Sequence, residues 1–237
     1  MLIEIIKKAA PELLGNPDQK HNLMLEVARL VSDKKDMRRP KRRIGPSTLD
    51  GCPRRMYYEW QGYTWDKEPQ QDPSALLMLQ IRLLVHSYYQ VLVQRALQQH
   101  GYLAVTEQAF NKEPFAGHID LVFWKDDPAH KVIIEIKTTK GARFEKIKSP
   151  TAAMKKQLAT YMWASNTPQG IVLLVDMETG DKKEWEATPW YDWARGEVEQ
   201  KVSGLMLAEA MNIPMAPRRS RYNCSVCPFT ERCQGVK

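Results

Sequence analysis

The chain has 237 residues, of which 43% are hydrophobic and 27% charged, and its net charge is +7. No apolar run approaches the ~20 residues that cross a bilayer, which excludes an obvious membrane-spanning helix, and the basic balance favours an anionic partner such as nucleic acid. The first residues lack the basic-then-apolar order of a signal peptide, so we expect a location in the cytoplasm of a bacterial or virus-infected cell.

The first third of the chain is predicted to be helical, with one basic interruption. Residues 1–32 have the apolar spacing of one or two amphipathic helices. Residues 34–43 then form a basic run that is typical of a linker or arm. Ser47 is a plausible N-cap for a short helix that ends near Tyr58, and Ser74 is a plausible N-cap for a long helix that ends near Gln99.

Strand patterns dominate the middle of the chain. Residues 102–110, 118–124 and 131–138 are strand candidates, and a polar turn at 125–128 predicts that the second and third form an antiparallel hairpin. Helix, strand, second strand and helix patterns follow in that order, at residues 151–164, 170–176, 183–187 and 189–211. The order predicts an α/β (α+β) fold with a mixed central sheet flanked by helices.

The sequence Gly117-His118-Ile119-Asp120 is followed fifteen residues later by Glu135-Ile136-Lys137. Side chains alternate across a strand, so Glu135 and Lys137 share a face, and the hairpin can bring Asp120 beside them. Two adjacent carboxylates repel each other unless a cation lies between them, and oxygen ligands suit Mg²⁺ or Mn²⁺. A solvated Glu–Lys pair is the simpler alternative, but residues 132–136 are apolar like an interior strand.

These motifs, with Gln157-x-x-x-Tyr161 after them, resemble the RecB-like branch of the PD-(D/E)XK nucleases. The resemblance implies a restriction-endonuclease-like fold that hydrolyses phosphodiester bonds in DNA. It implies that Asp120 and Glu135 bind the metal, and it makes His86, on the long helix, a further ligand. We add the backbone carbonyl of Ile136 as a fourth.

The same resemblance implies roles for three polar side chains around these ligands. Lys137 positions the attacking water or stabilises charge in the transition state. Gln157 and Tyr161 hold the active-site strands and the DNA strand. Glu107 is a further candidate acid near the site.

The four cysteines form one pattern, with Cys52 upstream and Cys224, Cys227 and Cys233 in the tail. Structural zinc sites usually combine two close pairs, whereas a one-plus-three arrangement favours a 4Fe–4S cluster. The segment that begins at Cys52-Pro53 resembles the iron–sulfur members of the RecB-like nucleases, which include AddB-type nuclease domains and CRISPR-associated adaptation nucleases. A cluster is therefore expected to join residues 45–60 to residues 218–237, within a nuclease domain that spans residues 45–237. Residues 1–44 form a separate helical segment and basic arm.

DNA, in single-stranded form, is the expected partner, and basic and aromatic residues near the first cysteine are candidates to grip it by charge and stacking. The candidates are Arg42, Arg43, Arg54, Arg55, Tyr57 and Tyr58. The resemblance implies an exonuclease that acts on single-stranded DNA ends in replication, recombination or repair. A CRISPR adaptation nuclease and a non-catalytic DNA-binding scaffold with a structural cluster are the alternatives.

Overall fold

A computed structural model describes residues 2–36, 43–63, 73–217, 224 and 227–235. Within these ranges the helices are α1 (Leu2–Gly15), α2 (Pro17–Asp36), α3 (Pro53–Trp60), α4 (Pro73–Gln99), α5 (Gly141–Lys146), α6 (Ala152–Ser165), α7 (Tyr191–Ala210) and α8 (Thr230–Gly235). The strands are β1 (Leu103–Lys112), β2 (Phe115–Trp124), β3 (Val132–Thr139), β4 (Gln169–Asp176) and β5 (Lys182–Glu186).

The strands of the described residues form one mixed sheet in the order β1-β2-β3-β4-β5. β3 and β4 run parallel, and the other neighbouring strands are antiparallel. β3 is central, and its isoleucines Ile133, Ile134 and Ile136 are fully buried, as its run of β-branched residues predicted. The α/β architecture expected from the sequence, including the β2–β3 hairpin, is thus confirmed.

Helices cover both faces of this sheet. On one face, α4 buries Val93 and Leu97 against Leu121 and Ile134, in the same core as the start of α1. On the other face, α6 packs close to β4 at Gly170, where a Cβ would lie 2.7 Å from the sulfur of Met162. The two layers fix α4 and α6 on opposite sides of β3.

The pairing of β2 with its neighbours is interrupted at Asp120. The β2–β3 register runs only from Phe123 to Leu121, which pairs with Ile134, so the strands separate at the next position. On the other side, Glu107 of β1 has a left-handed φ of 51° and is absent from an otherwise continuous β1–β2 register. A local irregularity of this kind re-aims side chains at a strand, and it often lies next to an active site.

Two predicted helix starts are wrong. Ser47 lies in a short 3-10 turn, Pro46–Thr48, and α3 begins only at Pro53, with Cys52 at the N-cap. The chain turns sharply at Gly51, where a Cβ would lie 2.9 Å from the carbonyl oxygen of Thr48, so one continuous helix is not formed. Proline suits a first helical turn, and α4 likewise includes Pro73, which leaves Ser74 inside the helix.

The N-terminal helices pack on the sheet layer. Leu2 and Ile6 of α1 are buried in the core that α4 shares with the sheet, and α2 packs on α4 through Leu23 and Val27. Most of the basic run, residues 37–42, lies outside the described residues, and so does Arg42. No helix in the described part of the chain combines the length and apolar character needed to cross a membrane.

Candidate active site

The site lies where β2 and β3 separate. The register of the hairpin sets Asp120 across from Glu135, one position beyond the last paired residues, Leu121 and Ile134. Instead of a ladder bond, the backbone N–H of Ile136 donates to Asp120 Oδ2 over 2.8 Å. The carboxylate of Asp120 is therefore held in the opening between the two strands.

His86 of α4 reaches the same opening from the helix side. Its Nε2 lies 3.3 Å from Asp120 Oδ2 and 3.1 Å from the carbonyl oxygen of Ile136. Three of the predicted metal ligands thus come together: His86, Asp120 and the carbonyl group of Ile136. They arise from one helix and two strands, so the fold rather than the sequence order brings them together.

Gln90, one helical turn after His86, supports this arrangement and was missed in the sequence. Its fully buried side-chain amide donates to Glu107 Oε1 over 2.6 Å and to the carbonyl oxygen of Asp120 over 3.1 Å. It also lies 3.4 Å from Asp120 Oδ1. Spacing of four residues from His86 was the available signal, because such residues share a helix face.

A chain of polar contacts runs from β3 to α6. The Lys137 ammonium forms an ion pair with Glu135 Oε1 and donates to Gln157 Oε1 over 2.9 Å. The amide of Gln157 in turn donates to the hydroxyl oxygen of Tyr161 over 3.0 Å. The four polar residues that the motifs singled out on β3 and α6 are therefore linked, with Gln157 and Tyr161 one turn apart on the helix.

Glu135 is a buried acid whose described charge partner is Lys137. Its side chain is 1% exposed, and among the described residues neither carboxylate oxygen accepts a hydrogen bond of good geometry. Burial, followed by repulsion from Asp120, raises the pKa of Glu135 to about 7, although Lys137 opposes the shift. A buried polar group without such bonds is costly, so the position needs an explanation beyond stability.

The two charged neighbours of Glu135, Asp120 and Lys137, are both held in their charged forms. Burial alone would raise the pKa of Asp120, but His86 and Lys137, together with the Ile136 N–H, hold it below the usual range. Burial would lower the pKa of Lys137, yet the Glu135 and Asp120 carboxylates outweigh it and raise that pKa. Lys137 is consequently a stable cation between two acids.

Two spacings among the candidate ligand atoms are compatible with a divalent cation. Mg²⁺–O bonds of about 2.1 Å at right angles set adjacent ligands about 3 Å apart, close to the 3.1 and 3.3 Å between His86 Nε2 and its two oxygen neighbours. Counting only His, Cys, Asp and Glu side chains, no three in the described ranges are arranged to hold a metal ion. The reason is that the third candidate ligand beside His86 and Asp120 is the backbone carbonyl of Ile136, while the Glu135 carboxylate forms an ion pair with Lys137.

The cysteines share one neighbourhood around the start of α3. Arg54 lies 3.8 Å from the sulfur of Cys233 through Nη1. Burial raises the pKa of the Cys227 thiol, and the nearby Cys52 and Cys224 add to this increase. Within the part of the chain that the structure describes, however, the sulfurs do not form a group of metal-holding geometry.

The residues proposed to grip DNA near Cys52 are largely engaged elsewhere. Tyr57 and Tyr58 are each 2% exposed and pack in a hydrophobic core with Phe229, so the prediction that they stack on a nucleic-acid strand is wrong here. Arg54 donates to the carbonyl oxygen of Met215, and Arg55 forms an ion pair with Glu59. Both tyrosines therefore belong to the hydrophobic core between α3 and Phe229 in the C-terminal tail.

Arg43 is also engaged. Its Nε donates to Asn111 Oδ1 over 2.8 Å, and its guanidinium lies 5.7 Å from the centre of the Trp60 ring. Arg43 and Arg54 therefore bind this segment to β1 and to the chain after α7, whereas the ion pair of Arg55 lies within α3.

Comparisons with known proteins bear on the family of the chain. A family model described as the PD-(D/E)XK nuclease superfamily matches residues 21–234. No curated protein matches the chain. Among solved structures, SSO0001 is similar with 18% identity and a TM-score of 0.49, over 88% of this chain and 94% of that one. An alkaline exonuclease (LHK-Exo) from Laribacter hongkongensis has 14% identity and a TM-score of 0.39, over 73% and 92%.

Proposed function

Because the chain belongs to the PD-(D/E)XK nuclease superfamily, we propose that it is a metal-dependent deoxyribonuclease whose active site lies between β2, β3 and α4. His86, Asp120, Glu135 and the carbonyl oxygen of Ile136 would hold one Mg²⁺ or Mn²⁺ ion. When bound, such an ion supplies an activated water and offsets charge on the phosphodiester. The natural setting is the cytoplasm of a bacterial or virus-infected cell.

One observation carries the proposal. His86 Nε2 lies 3.3 Å from Asp120 Oδ2 and 3.1 Å from the Ile136 carbonyl oxygen, beside the buried carboxylate of Glu135, which accepts no hydrogen bond of good geometry among the described residues. A cation at this position would relieve the repulsion that raises the pKa of Glu135. A solvated Glu–Lys pair would need no such burial.

The remaining side chains support hydrolysis without acting as bases. Lys137 has three N–H donors, one of which donates to Gln157 Oε1, while the ammonium charge forms an ion pair with Glu135. A remaining N–H can donate to the attacking water or to a phosphate oxygen. Since its pKa is raised, Lys137 acts as a charged donor that stabilises developing negative charge. Gln157, fixed by Tyr161, keeps the ammonium in place.

We further assign the chain to the RecB-like branch and propose exonuclease action on single-stranded DNA ends. The motif sequence Asp120, then Glu135 and Lys137, then Gln157 and Tyr161 supports this assignment. The expected assay result is Mn²⁺-dependent shortening of labelled single strands from an end, with no cutting in EDTA. Cutting that persists in EDTA would contradict the metal site, whereas internal cuts in a circular single strand would contradict only the exonuclease mode.

We propose, as a separate structural element, a 4Fe–4S cluster bound by Cys52, Cys224, Cys227 and Cys233. The common neighbourhood of these cysteines supports it. Protein purified without oxygen is expected to contain iron and acid-labile sulfide in equal amounts, and to lose both on Cys233→Ala. One zinc ion per chain with no sulfide would mean that the cysteines bind zinc instead of a cluster. Protein that contains neither iron nor zinc would contradict a metal site at these cysteines.

A further inference from the structure

The short helix α5 follows the active-site strand directly and is firmly anchored. The backbone N–H of Gly141 donates to Asp176 Oδ1 over 3.0 Å at the start of the helix. Phe144 is 3% exposed, and its ring lies under Lys183, whose Nζ is 4.1 Å from the ring centre. Lys183 also donates to the carbonyl oxygens of Phe144 and Ile147 at the end of the helix. The orientation of α5 on the sheet is therefore fixed by its buried side.

The outer side of this anchored segment is basic. Four side chains, all exposed, define a surface that we name the α5 basic surface: Lys140, Arg143, Lys146 and Lys148. Among the described residues, none of the four has an ion-pair partner. Glu145, also exposed, and Glu178, which lies against Gly141, are the acids at this surface. Residues 140–148 thus present four cations and one acid to solvent.

The distance from the proposed active site is short. Lys140 follows Lys137 by three positions, which limits the distance between their Cα atoms to about 10 Å, and a six-residue helix adds about 9 Å. Arg143 and Lys146 are three residues apart on the helix, so their side chains are neighbours. A strand of nucleic acid that leaves the site past the end of β3 would pass close to these cations.

Four other basic residues that lie in or near the sequence motifs already have protein partners. Arg54 and Arg55 are engaged with Met215 and Glu59, and Arg43 is engaged with Asn111. Lys156 is 8% exposed between Asp50 and Glu197. Cations that already have protein partners release fewer counterions from DNA than cations that have none.

We propose that the α5 basic surface binds the DNA backbone next to the scissile phosphate, an inference that rests on the proposed nuclease function. Contacts of this kind recognise phosphate rather than base sequence, so they position the strand in the site without selecting its sequence. The anchoring by Asp176, Phe144 and Lys183 fixes the surface relative to Lys137. The partner is a single strand of DNA that extends from the active site across α5.

The test is the salt dependence of binding, measured without divalent metal so that no cutting occurs. A fluorescein-labelled single-stranded oligonucleotide is titrated with the wild-type chain and with an Arg143→Gln/Lys146→Gln/Lys148→Gln variant in EDTA. Each lost phosphate contact lowers the slope of log affinity against log salt by about 0.7 for single strands, so a decrease of about 2 is expected. The affinity at low salt is expected to fall by on the order of 10- to 100-fold, equally for different sequences.

A matched control removes the same charge elsewhere. Lys20→Gln/Lys125→Gln/Lys131→Gln takes two lysines from the β2–β3 turn, at the opposite end of β3, and one from α2, and is expected to keep the wild-type slope. An Arg143→Lys/Lys146→Arg/Lys148→Arg variant, which preserves charge, is expected to bind like the wild type. Thermal unfolding of each variant shows that it is folded, and if the triple variant is not, Lys146→Gln/Lys148→Gln replaces it with an expected decrease of about 1.4.

The outcomes separate the two proposals. If the slope of log affinity against log salt is the same for the Arg143→Gln/Lys146→Gln/Lys148→Gln variant as for the control variant, the α5 basic surface does not bind DNA. This holds even if the wild type binds and cuts DNA normally. A wild-type chain that neither binds nor cuts DNA overturns the nuclease function itself. A lower slope with unchanged metal-dependent chemistry at saturating DNA supports both.

Discussion

The backbone N–H of Ile136 donates to the side chain of Asp120 over 2.8 Å, at the position where regular pairing between β2 and β3 has ended. This bond ties the strand that carries Glu135 and Lys137 to the strand that carries Asp120. A side chain thus takes the place of the next ladder bond, and the opening that results exposes the Ile136 carbonyl oxygen to His86. The candidate site is therefore a consequence of strand separation rather than of a loop.

Replacement of Lys137 by Ala tests its role as a charged donor. The change is expected to leave DNA affinity nearly unchanged and to reduce single-turnover cleavage by about 10²- to 10³-fold, as loss of a transition-state donor does. Lys131→Ala, at the other end of β3, is the matched control and is expected to cut normally. Equal cleavage by the Lys137 and Lys131 variants would remove Lys137 from the chemistry.

The contact between Gln157 and Lys137 predicts a smaller effect. Gln157→Leu keeps the volume but removes the acceptor at 2.9 Å from the ammonium. Loss of one hydrogen bond to a charged group is worth roughly 1.5 kcal/mol, or about a tenfold decrease in cleavage rate. Substrate affinity and thermal stability are expected to change little, and a loss of DNA binding instead would assign Gln157 to the substrate strand.

Gln90 is expected to act through Asp120. Gln90→Leu removes the amide that donates to Glu107 and to Asp120. Because such bonds orient the metal ligands, the variant is expected to bind Mn²⁺ roughly 10- to 100-fold more weakly. Calorimetric titration with Mn²⁺ measures this directly. Gln94→Leu is the matched control, because Gln94 lies one turn along α4 and donates only to the carbonyl oxygen of Ala104 among the contacts described. Similar Mn²⁺ affinity in the two variants would refute the assignment.

The raised pKa of Glu135 predicts that this carboxyl group lowers the stability of the metal-free fold at neutral and higher pH. Its folded-state pKa is raised from 4.5 to about 7, so the metal-free folded chain loses stability as pH rises from 4.5 to 7, where only the unfolded carboxyl is ionised. Glu135→Gln removes this loss. In EDTA the variant is expected to unfold a few degrees higher than the wild type at pH 8, with a smaller difference at pH 5.

The control for this effect is Glu145→Gln, which neutralises an exposed acid on α5. It is expected to show no such pH-dependent gain. A Glu135→Gln variant that is less stable than the wild type at pH 8 would mean that the ion pair with Lys137 outweighs the burial of the carboxylate.

The sequence was sufficient to predict the central sheet and the acid–lysine pattern. The alternation of side chains on β3 and the spacing of Gln157 and Tyr161 on α6 follow from local geometry alone. Gln90 was missed because its spacing from His86 indicates only a shared helix face, and its partners, Glu107 and Asp120, are brought to it by tertiary structure.

The misplaced DNA contacts have a related cause. An aromatic pair next to arginines, as at Tyr57 and Tyr58, has the same sequence pattern whether it faces solvent or a core. Only the packing of Phe229 against Tyr58 decides between them. The sequence analysis assigned no role to the cations of the α5 basic surface, because their common exposed side depends on the burial of Phe144.

Binding of Mn²⁺ by the wild type and by an Asp120→Asn variant tests the account most directly. We predict that calorimetry in the absence of DNA finds one ion per wild-type chain, and that Asp120→Asn abolishes this binding while the variant remains folded. Undiminished Mn²⁺ binding by folded Asp120→Asn would contradict a metal centre between β2, β3 and α4.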